Sequence, residues 1–102
     1  MKVTYGKRLL KDIDSIQTLS VNLLLQETLE LIESAQTIRD IPNIKKLKGH
    51  KGFLRVRLGN YRLGIHVDGE RVTILRFLHR KEIYKKFPWV PFSSRLPTLT
   101  FS

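Results

Sequence analysis

Alternation of apolar and polar residues over positions 53 to 67, broken by one tight turn and followed by a second, is the feature that most limits the fold of this 102-residue chain. A period of two residues is typical of strands that bury one face. The dipeptides Gly59-Asn60 and Asp68-Gly69 follow the two alternating runs, and both are of the kind that closes a two-residue hairpin; a third strand is predicted from Arg71 to about Leu78. The pattern therefore predicts an antiparallel meander.

The N-terminal half has a different period. Residues 2 to 5 predict a short strand, and leucines and isoleucines then recur at three- and four-residue spacings over residues 9 to 16 and 21 to 32. This spacing indicates two helices that form a hairpin. The expected inward-facing residues of the second helix are Leu24, Leu25, Thr28, Leu29, Leu31 and Ile32. The prediction is an α+β fold in which an N-terminal helical hairpin packs on a small, mainly antiparallel sheet of about four strands.

The C-terminal part divides into a helix and a tail. Residues 80 to 87, RKEIYKKF, predict a last short helix, and residues 88 to 102 form a Pro-rich tail to which no role is assigned. We therefore expect one domain over residues 1 to 87. Cysteine is absent, and no stretch reads as a signal peptide or approaches the ~20 apolar residues of a membrane span, so we expect a cytoplasmic protein.

Positive charge is concentrated in the second half of the chain. The net charge is +10, and residues 43 to 86 hold thirteen basic and three acidic side chains, which accounts for that excess. A concentrated positive surface favours a polyanionic partner over a merely solvated face. Metal and cofactor chemistry is not expected, because the histidines lack ligand spacing and no cysteine assists them.

Three arginines are expected on one face of the meander. Arg55 and Arg57 alternate on one strand, and Arg62 follows on its hairpin partner. Guanidinium groups offer paired donors to phosphate oxygens, and they either bind RNA or stabilise the transition state of phosphoryl transfer. The residues alone leave both roles open, together with the alternative of ordinary solvent-facing side chains.

The segment LHRKEIY, residues 78 to 84, adds a second candidate group. His79 is suited to proton donation to a leaving oxygen, Arg80 to phosphate binding and Tyr84 to stacking on a base. The alternative is that the first two form a polar strand exit and that Tyr84 covers the core.

The order KLKGHKGFLRVRLGNYRLGIHV, DGERVTIL and HRKEIYKKF resembles the RelE/ParE superfamily of toxins from toxin–antitoxin pairs, over roughly residues 1 to 87. The resemblance implies an endoribonuclease that cuts mRNA at the ribosome and inhibits translation, without a metal. It also implies a cognate antitoxin that is acidic where it binds the toxin. The alternatives are inhibition of DNA gyrase, as in the ParE branch, and a non-catalytic RNA-binding module.

The resemblance also assigns residue roles. It places Arg55 and Arg57 beside the scissile phosphate and Arg62 on that phosphate. Arg80 falls near the leaving group, and Tyr84 on the substrate base.

The general base and the wider RNA contacts are less closely defined. Arginine is a poor proton acceptor, so the base is sought among the histidines. His66, which shares the Arg62 face by alternation, is the first candidate, and His50 and His79 are the others. The expected RNA-binding residues are Lys45, Lys46, Lys48, Lys51, His79 and Lys81.

Overall fold

The computed structural model describes residues 1–87, apart from the side chain of Tyr84, and the predicted tail at 88–102 lies outside the described residues. The elements in chain order are β1 (Lys2–Tyr5), α1 (Leu9–Asp14), α2 (Leu19–Ser34), a short 3-10 helix (Ile38–Asp40), β2 (Ile44–Lys46), β3 (Phe53–Leu58), β4 (Tyr61–Asp68), β5 (Arg71–His79) and α3 (Arg80–Lys86).

The strands of this range form one sheet of five, in the order β1-β5-β4-β3-β2. The strands β3, β4 and β5 are the predicted antiparallel meander, and β2 is antiparallel to β3, whereas β1 runs parallel to β5. The α+β class and the helical hairpin are confirmed. The expected count of about four strands is one too low, because the three residues of β2 are too few to show a period.

The main core lies between the sheet and the helical hairpin. Fully buried side chains of β3, β4 and β5 include Val56, Leu63 and Phe77, and α2 contributes Ile32. Burial of each such side chain stabilises the fold by about 1.5–3 kcal/mol before entropy is counted. The helical hairpin therefore covers one face of the sheet and leaves the other face for α3 and the arginines.

The helix α2 presents a narrower apolar stripe than its sequence predicts. Leu25, Thr28 and Ile32 are buried as expected, but Leu24 and Leu31 are 39% and 47% exposed. The prediction was wrong for these two leucines because they lie on the flank of the helix that the sheet does not reach. Leu19 and Leu23, at 71% and 52%, are also exposed.

The helix α3 packs on the opposite face of the sheet. Leu75, Ile83 and Phe87 form a second small buried cluster there. A β-bulge supplies Leu75, since Gly64 pairs with Arg76 and Ile65 with Ile74, which leaves Leu75 without a partner in β4. The Phe87 ring lies where a side chain at Gly64 would stand, because a Cβ there would be 2.8 Å from three ring carbons.

A buried carboxylate accepts hydrogen bonds from β5 in the part of this strand that β1 does not cover. Asp12 of α1 accepts hydrogen bonds from the Phe77 main-chain N–H at 2.9 Å and from Nε and Nη2 of Arg76 at 2.8 and 2.9 Å. Such a bidentate pair fixes the relative orientation of the two side chains and also stabilises the contact. The charged side chain thus joins α1 to β5 where no further strand is present.

A second polar link joins β1 to the end of α2. The Tyr5 hydroxyl donates to Oε2 of Glu33 at 3.0 Å. Partial burial, followed by this hydrogen bond and the charge of Glu33, raises the pKa of Tyr5 above its ordinary value. The link lies at the opposite edge of the sheet from the arginines.

Candidate nucleic-acid interface

The three predicted arginines lie on the sheet face opposite the helical hairpin. Arg57 is the direct cross-strand partner of Arg62, and Arg55 is the partner of Gly64 in the next row. Residues that face each other in an antiparallel ladder project from the same side, so Arg57 and Arg62 stand next to each other. Neither has a carboxylate partner within the described residues. Their charges are therefore available to an external anion.

The guanidinium of Arg62 is held by the hairpin turn that precedes it. Its Nη1 donates to the carbonyl oxygens of Gly59 and Tyr61, at 2.8 and 2.9 Å. Its Nε is buried and has no hydrogen-bond partner in the described chain. The group is thus fixed before any ligand arrives, which is the preorganisation that stabilisation of developing charge requires.

The start of α3 is joined to the same turn. The Arg80 main-chain N–H donates to the Asn60 carbonyl at 2.8 Å. Nδ1 of His79 accepts from the Lys81 N–H at 3.1 Å, and the His79 ring stands edge-on to Tyr61 at 5.5 Å. A neutral imidazole that accepts at Nδ1 carries its proton on Nε2, so His79 is set up as a hydrogen-bond donor.

Two further predicted residues lie on α3. Lys81 is exposed and follows Arg80 directly. Tyr84 comes four residues after Arg80, a spacing that places two positions on one side of a helix, and its side chain lies outside the described residues. The assignment of Tyr84 to base stacking stays a prediction.

His66 is not brought together with Arg62. It lies four residues further along β4 on the same face, about 13 Å away at the usual rise of a strand. Phe87 covers Gly64, midway between the two, and is 5.7 Å from Phe53, whose ring is 4.7 Å from His66. A ring therefore separates the first candidate base from the arginine pair.

The predicted lysines divide between two places. Lys45 is the cross-strand partner of Arg55, so it extends the arginine face to the edge strand β2. Lys46, Lys48 and Lys51 are exposed and lie at or near the loop between β2 and β3, beside His50. This loop is at the His66 end of the sheet.

The positions of Gly64, Phe87 and Asp12 were missed by the sequence reasoning. A glycine in the middle of a strand indicates close approach of another group, and this signal was present at Gly64. Nothing in the sequence identified Asp12 or Phe87 as the groups that fix α1 and α3.

Two kinds of site are absent from residues 1–87. No group of three or more histidine and carboxylate side chains converges there as a metal site would require. No helix in that range is long and apolar enough to cross a membrane.

Comparison with known proteins identifies the family of this chain. Residues 3–84 match the family described as the ParE toxin of the type II toxin–antitoxin system parDE. The chain belongs to the RelE/ParE superfamily of toxins, and the sequence-based prediction of this family is confirmed.

Within this class the chain is similar to RelE toxins. Toxin RelE3 of Methanocaldococcus jannaschii is 36% identical over 89 residues, which cover 86% of this chain and 100% of that toxin. A crystal structure of the RelB-RelE antitoxin-toxin complex from Methanococcus jannaschii matches with a TM-score of 0.72 and 32% identity, over 83% of this chain and 99% of that one. YafQ from E. coli shares the fold, with a TM-score of 0.66 at 14% identity over 81% and 97% of the two chains.

Proposed function

We propose that this toxin is an endoribonuclease that cleaves mRNA at the ribosome and so inhibits translation. The observation that carries the proposal is the pair of adjacent guanidiniums at Arg57 and Arg62, one of which is fixed by the turn at Gly59 and Tyr61. Two guanidiniums side by side fit the non-bridging oxygens of one phosphate. Similarity to RelE3 supports the same conclusion.

The proposed reaction needs no metal. A ribose 2′-hydroxyl attacks the adjacent phosphorus, the bond from phosphorus to the 5′ oxygen breaks, and the products are a 2′,3′-cyclic phosphate and a 5′-hydroxyl. The attacking hydroxyl loses its proton, and the leaving oxygen gains one. Arg57 and Arg62 stabilise the charge that builds up on the phosphate, and a single donor of this kind contributes about 10²–10³ in rate.

The proposal also gives roles to the other predicted residues. Arg80 lies at the start of α3, which its own N–H joins to the turn at Asn60, and we assign it to the leaving-group side. His79 donates from Nε2 to a phosphate oxygen, because its Nδ1 already accepts from Lys81. The family resemblance assigns Arg55 a place next to the pair and assigns Tyr84 to stacking on the base. Among the described histidines none is placed beside Arg62 with a free acceptor nitrogen.

We further propose that a cognate antitoxin neutralises the toxin. The structure from Methanococcus jannaschii is such a complex, with RelB as antitoxin. An antitoxin segment that is acidic and covers the arginine face competes directly with RNA, and charge complementarity speeds its association. The leucines left exposed on α2, Leu19, Leu23, Leu24 and Leu31, suit an apolar helix of the same partner.

Inhibition of DNA gyrase is the second candidate function. It is favoured by the match of residues 3–84 to the ParE toxin family. Gyrase inhibition does not require the arginine pair to bind a phosphate. Loss of Arg62 should therefore abolish toxicity if the protein is a nuclease and preserve it if the protein inhibits gyrase.

The test is induced expression of the toxin without its antitoxin in a bacterial host. We expect growth arrest with truncated mRNA, and recovery of growth in the double variant Arg62→Ala, Arg80→Ala. The exposed Lys2 at the far edge of the sheet provides the control variant Lys2→Ala, which should arrest growth like the unmodified toxin. Arrest with intact transcripts and trapped gyrase–DNA complexes would overturn the nuclease proposal.

A further inference from the structure

A cleft opens at the far end of β3 and β4 from the arginine pair. Its volume is about 490 Å³, and its polar and aromatic lining consists of Lys46, His50, Lys51, Phe53, His66 and Asp68. We call it the His50–His66 cleft. It has no part in the phosphate chemistry proposed for Arg57 and Arg62, because Phe87 and about 13 Å of strand separate Arg62 from His66.

The His66 ring is held in position by the loop that precedes β3. Gly52 has φ +84°, and a Cβ at this residue would stand 2.9 Å from Nε2 of His66, so a larger side chain would displace the ring. The Gly52 carbonyl accepts from the Val67 N–H at 2.8 Å, which closes the loop onto β4. The Phe53 ring lies 4.7 Å from the His66 ring, at a tilt of 56°.

The chemistry of the lining fits a nucleotide. Phe53 and His66 provide a tilted aromatic pair on which a base can stack. Lys46, Lys51 and His50 also line the cleft and supply its positive charge and hydrogen-bond donors, and Asp68 is the single acidic residue of the lining. The ring of His66 thus supplies a stacking surface, and Gly52 lies against its Nε2 edge.

We propose that the His50–His66 cleft is a second RNA-binding subsite, which holds a nucleotide of the same single strand away from the scissile phosphate. This inference rests on the proposed nuclease function and gives His66 a binding role instead of that of general base. The strand then crosses the face from Arg62, past Phe87, to the cleft. Two separated contacts fix the register of the RNA better than one.

The test measures binding of uncleavable 2′-O-methyl RNA by fluorescence anisotropy, with an octanucleotide and a dinucleotide as probes. We expect His66→Ala to weaken octanucleotide binding about tenfold, as for loss of one stacked base, and to leave dinucleotide binding unchanged. His66→Phe should preserve octanucleotide binding. Arg62→Gln should weaken both probes, and the control Lys2→Ala neither.

Lys51→Ala keeps the proposal testable if His66→Ala does not fold, since Lys51 is exposed and its loss should also weaken the octanucleotide alone. Unchanged octanucleotide binding in both variants would overturn the subsite. A fall in kcat with unchanged KM in His66→Ala would overturn it in favour of proton transfer. If adenosine monophosphate saturates the cleft and the octanucleotide does not, the ligand is a free nucleotide and the proposal is wrong.

The two proposals fail in different ways. Octanucleotide binding that depends on His66, in a protein that cleaves no RNA, would contradict the nuclease function and leave the subsite in place. Cleavage that depends on Arg62 but not on His66 or Lys51 would contradict the subsite and support the nuclease function.

Discussion

Arg57 and Arg62 face each other directly across the ladder between β3 and β4, with no carboxylate partner among the described residues. Like charges in this position destabilise a sheet by roughly 0.2–1 kcal/mol. The fold nevertheless fixes one of the two guanidiniums through Gly59 and Tyr61. We propose that an anion that binds both guanidiniums explains this arrangement.

The first prediction concerns the cost of this pair. Arg57→Gln should raise the free energy of unfolding by up to about 1 kcal/mol, because it removes the repulsion. It should also reduce the slope of log affinity for single-stranded RNA against log salt by about 0.7. Denaturant unfolding and a salt titration measure the two effects. Arg71→Gln, at an exposed site at the other end of β5, is the control, and a clear loss of stability in Arg57→Gln alone would contradict the account.

The second prediction separates charge from geometry at Arg62. Lysine keeps the charge but cannot donate to two carbonyls and a phosphate in one plane. Arg62→Lys should therefore lower kcat for RNA cleavage nearly as much as Arg62→Gln, by about 10²-fold. Single-turnover cleavage of a labelled RNA gives the rates. Near-complete activity of the lysine variant would show that charge alone suffices.

The third prediction concerns the buried carboxylate of α1. Asp12→Ala leaves Arg76 without its partner and the Phe77 N–H without its acceptor, so the free energy of unfolding should fall by about 3–5 kcal/mol. Asp14→Ala, at an exposed position of the same helix, should change it by less than about 0.5 kcal/mol. Equal effects of the two substitutions would mean that the Asp12 contacts do not stabilise the fold.

The fourth prediction tests the packing of Phe87 on the sheet. Gly64→Ala should destabilise the protein by about 1–3 kcal/mol, because its Cβ would overlap the Phe87 ring. In the background of Phe87→Ala the same substitution should cost much less, since the ring is gone. A double-mutant cycle of unfolding free energies measures this coupling. Additive effects would mean that the cost of Gly64→Ala does not come from overlap with the Phe87 ring.

The fifth prediction concerns the exposed leucines of α2. Leu24→Lys and Leu31→Lys should leave the unfolding free energy within about 0.5 kcal/mol, because both side chains are already largely in water. They should weaken binding of the cognate antitoxin measured by calorimetry. Leu10→Lys on α1, where the leucine is 70% exposed, is the matched comparison. Unchanged affinity in all three variants would leave the arginine face as the surface that the antitoxin covers.

Much of the fold follows from local patterns. The period of two residues predicted β3 and β4, and it placed Arg55, Arg57 and Arg62 on one face because alternation needs no tertiary information. The three-residue strand β2 could not be predicted, since so short a segment becomes a strand only by pairing with β3. Leu24 and Leu31 were wrongly predicted to face inward, because the helical period does not determine how wide a stripe of the helix the sheet covers.

The candidate site depends more strongly on tertiary packing. Alternation correctly placed His66 on the Arg62 face, but it gave no indication that Phe87 would fold back over Gly64 between them. The bulge at Leu75 likewise depends on tertiary packing, because Leu75 is buried against Ile83 of α3 and Phe87. Catalytic roles were assigned through family resemblance, and the assignment of each role stays a prediction.

Cleavage of mRNA at the ribosome is best examined by mapping the ends of mRNA exposed to the purified toxin on programmed ribosomes. We expect cuts that leave a 2′,3′-cyclic phosphate and a 5′-hydroxyl. These cuts should disappear with Arg62→Gln and with a single 2′-deoxy nucleotide at the cut site. Intact mRNA under these conditions, or cleavage that survives the 2′-deoxy substitution, would contradict the nuclease proposal.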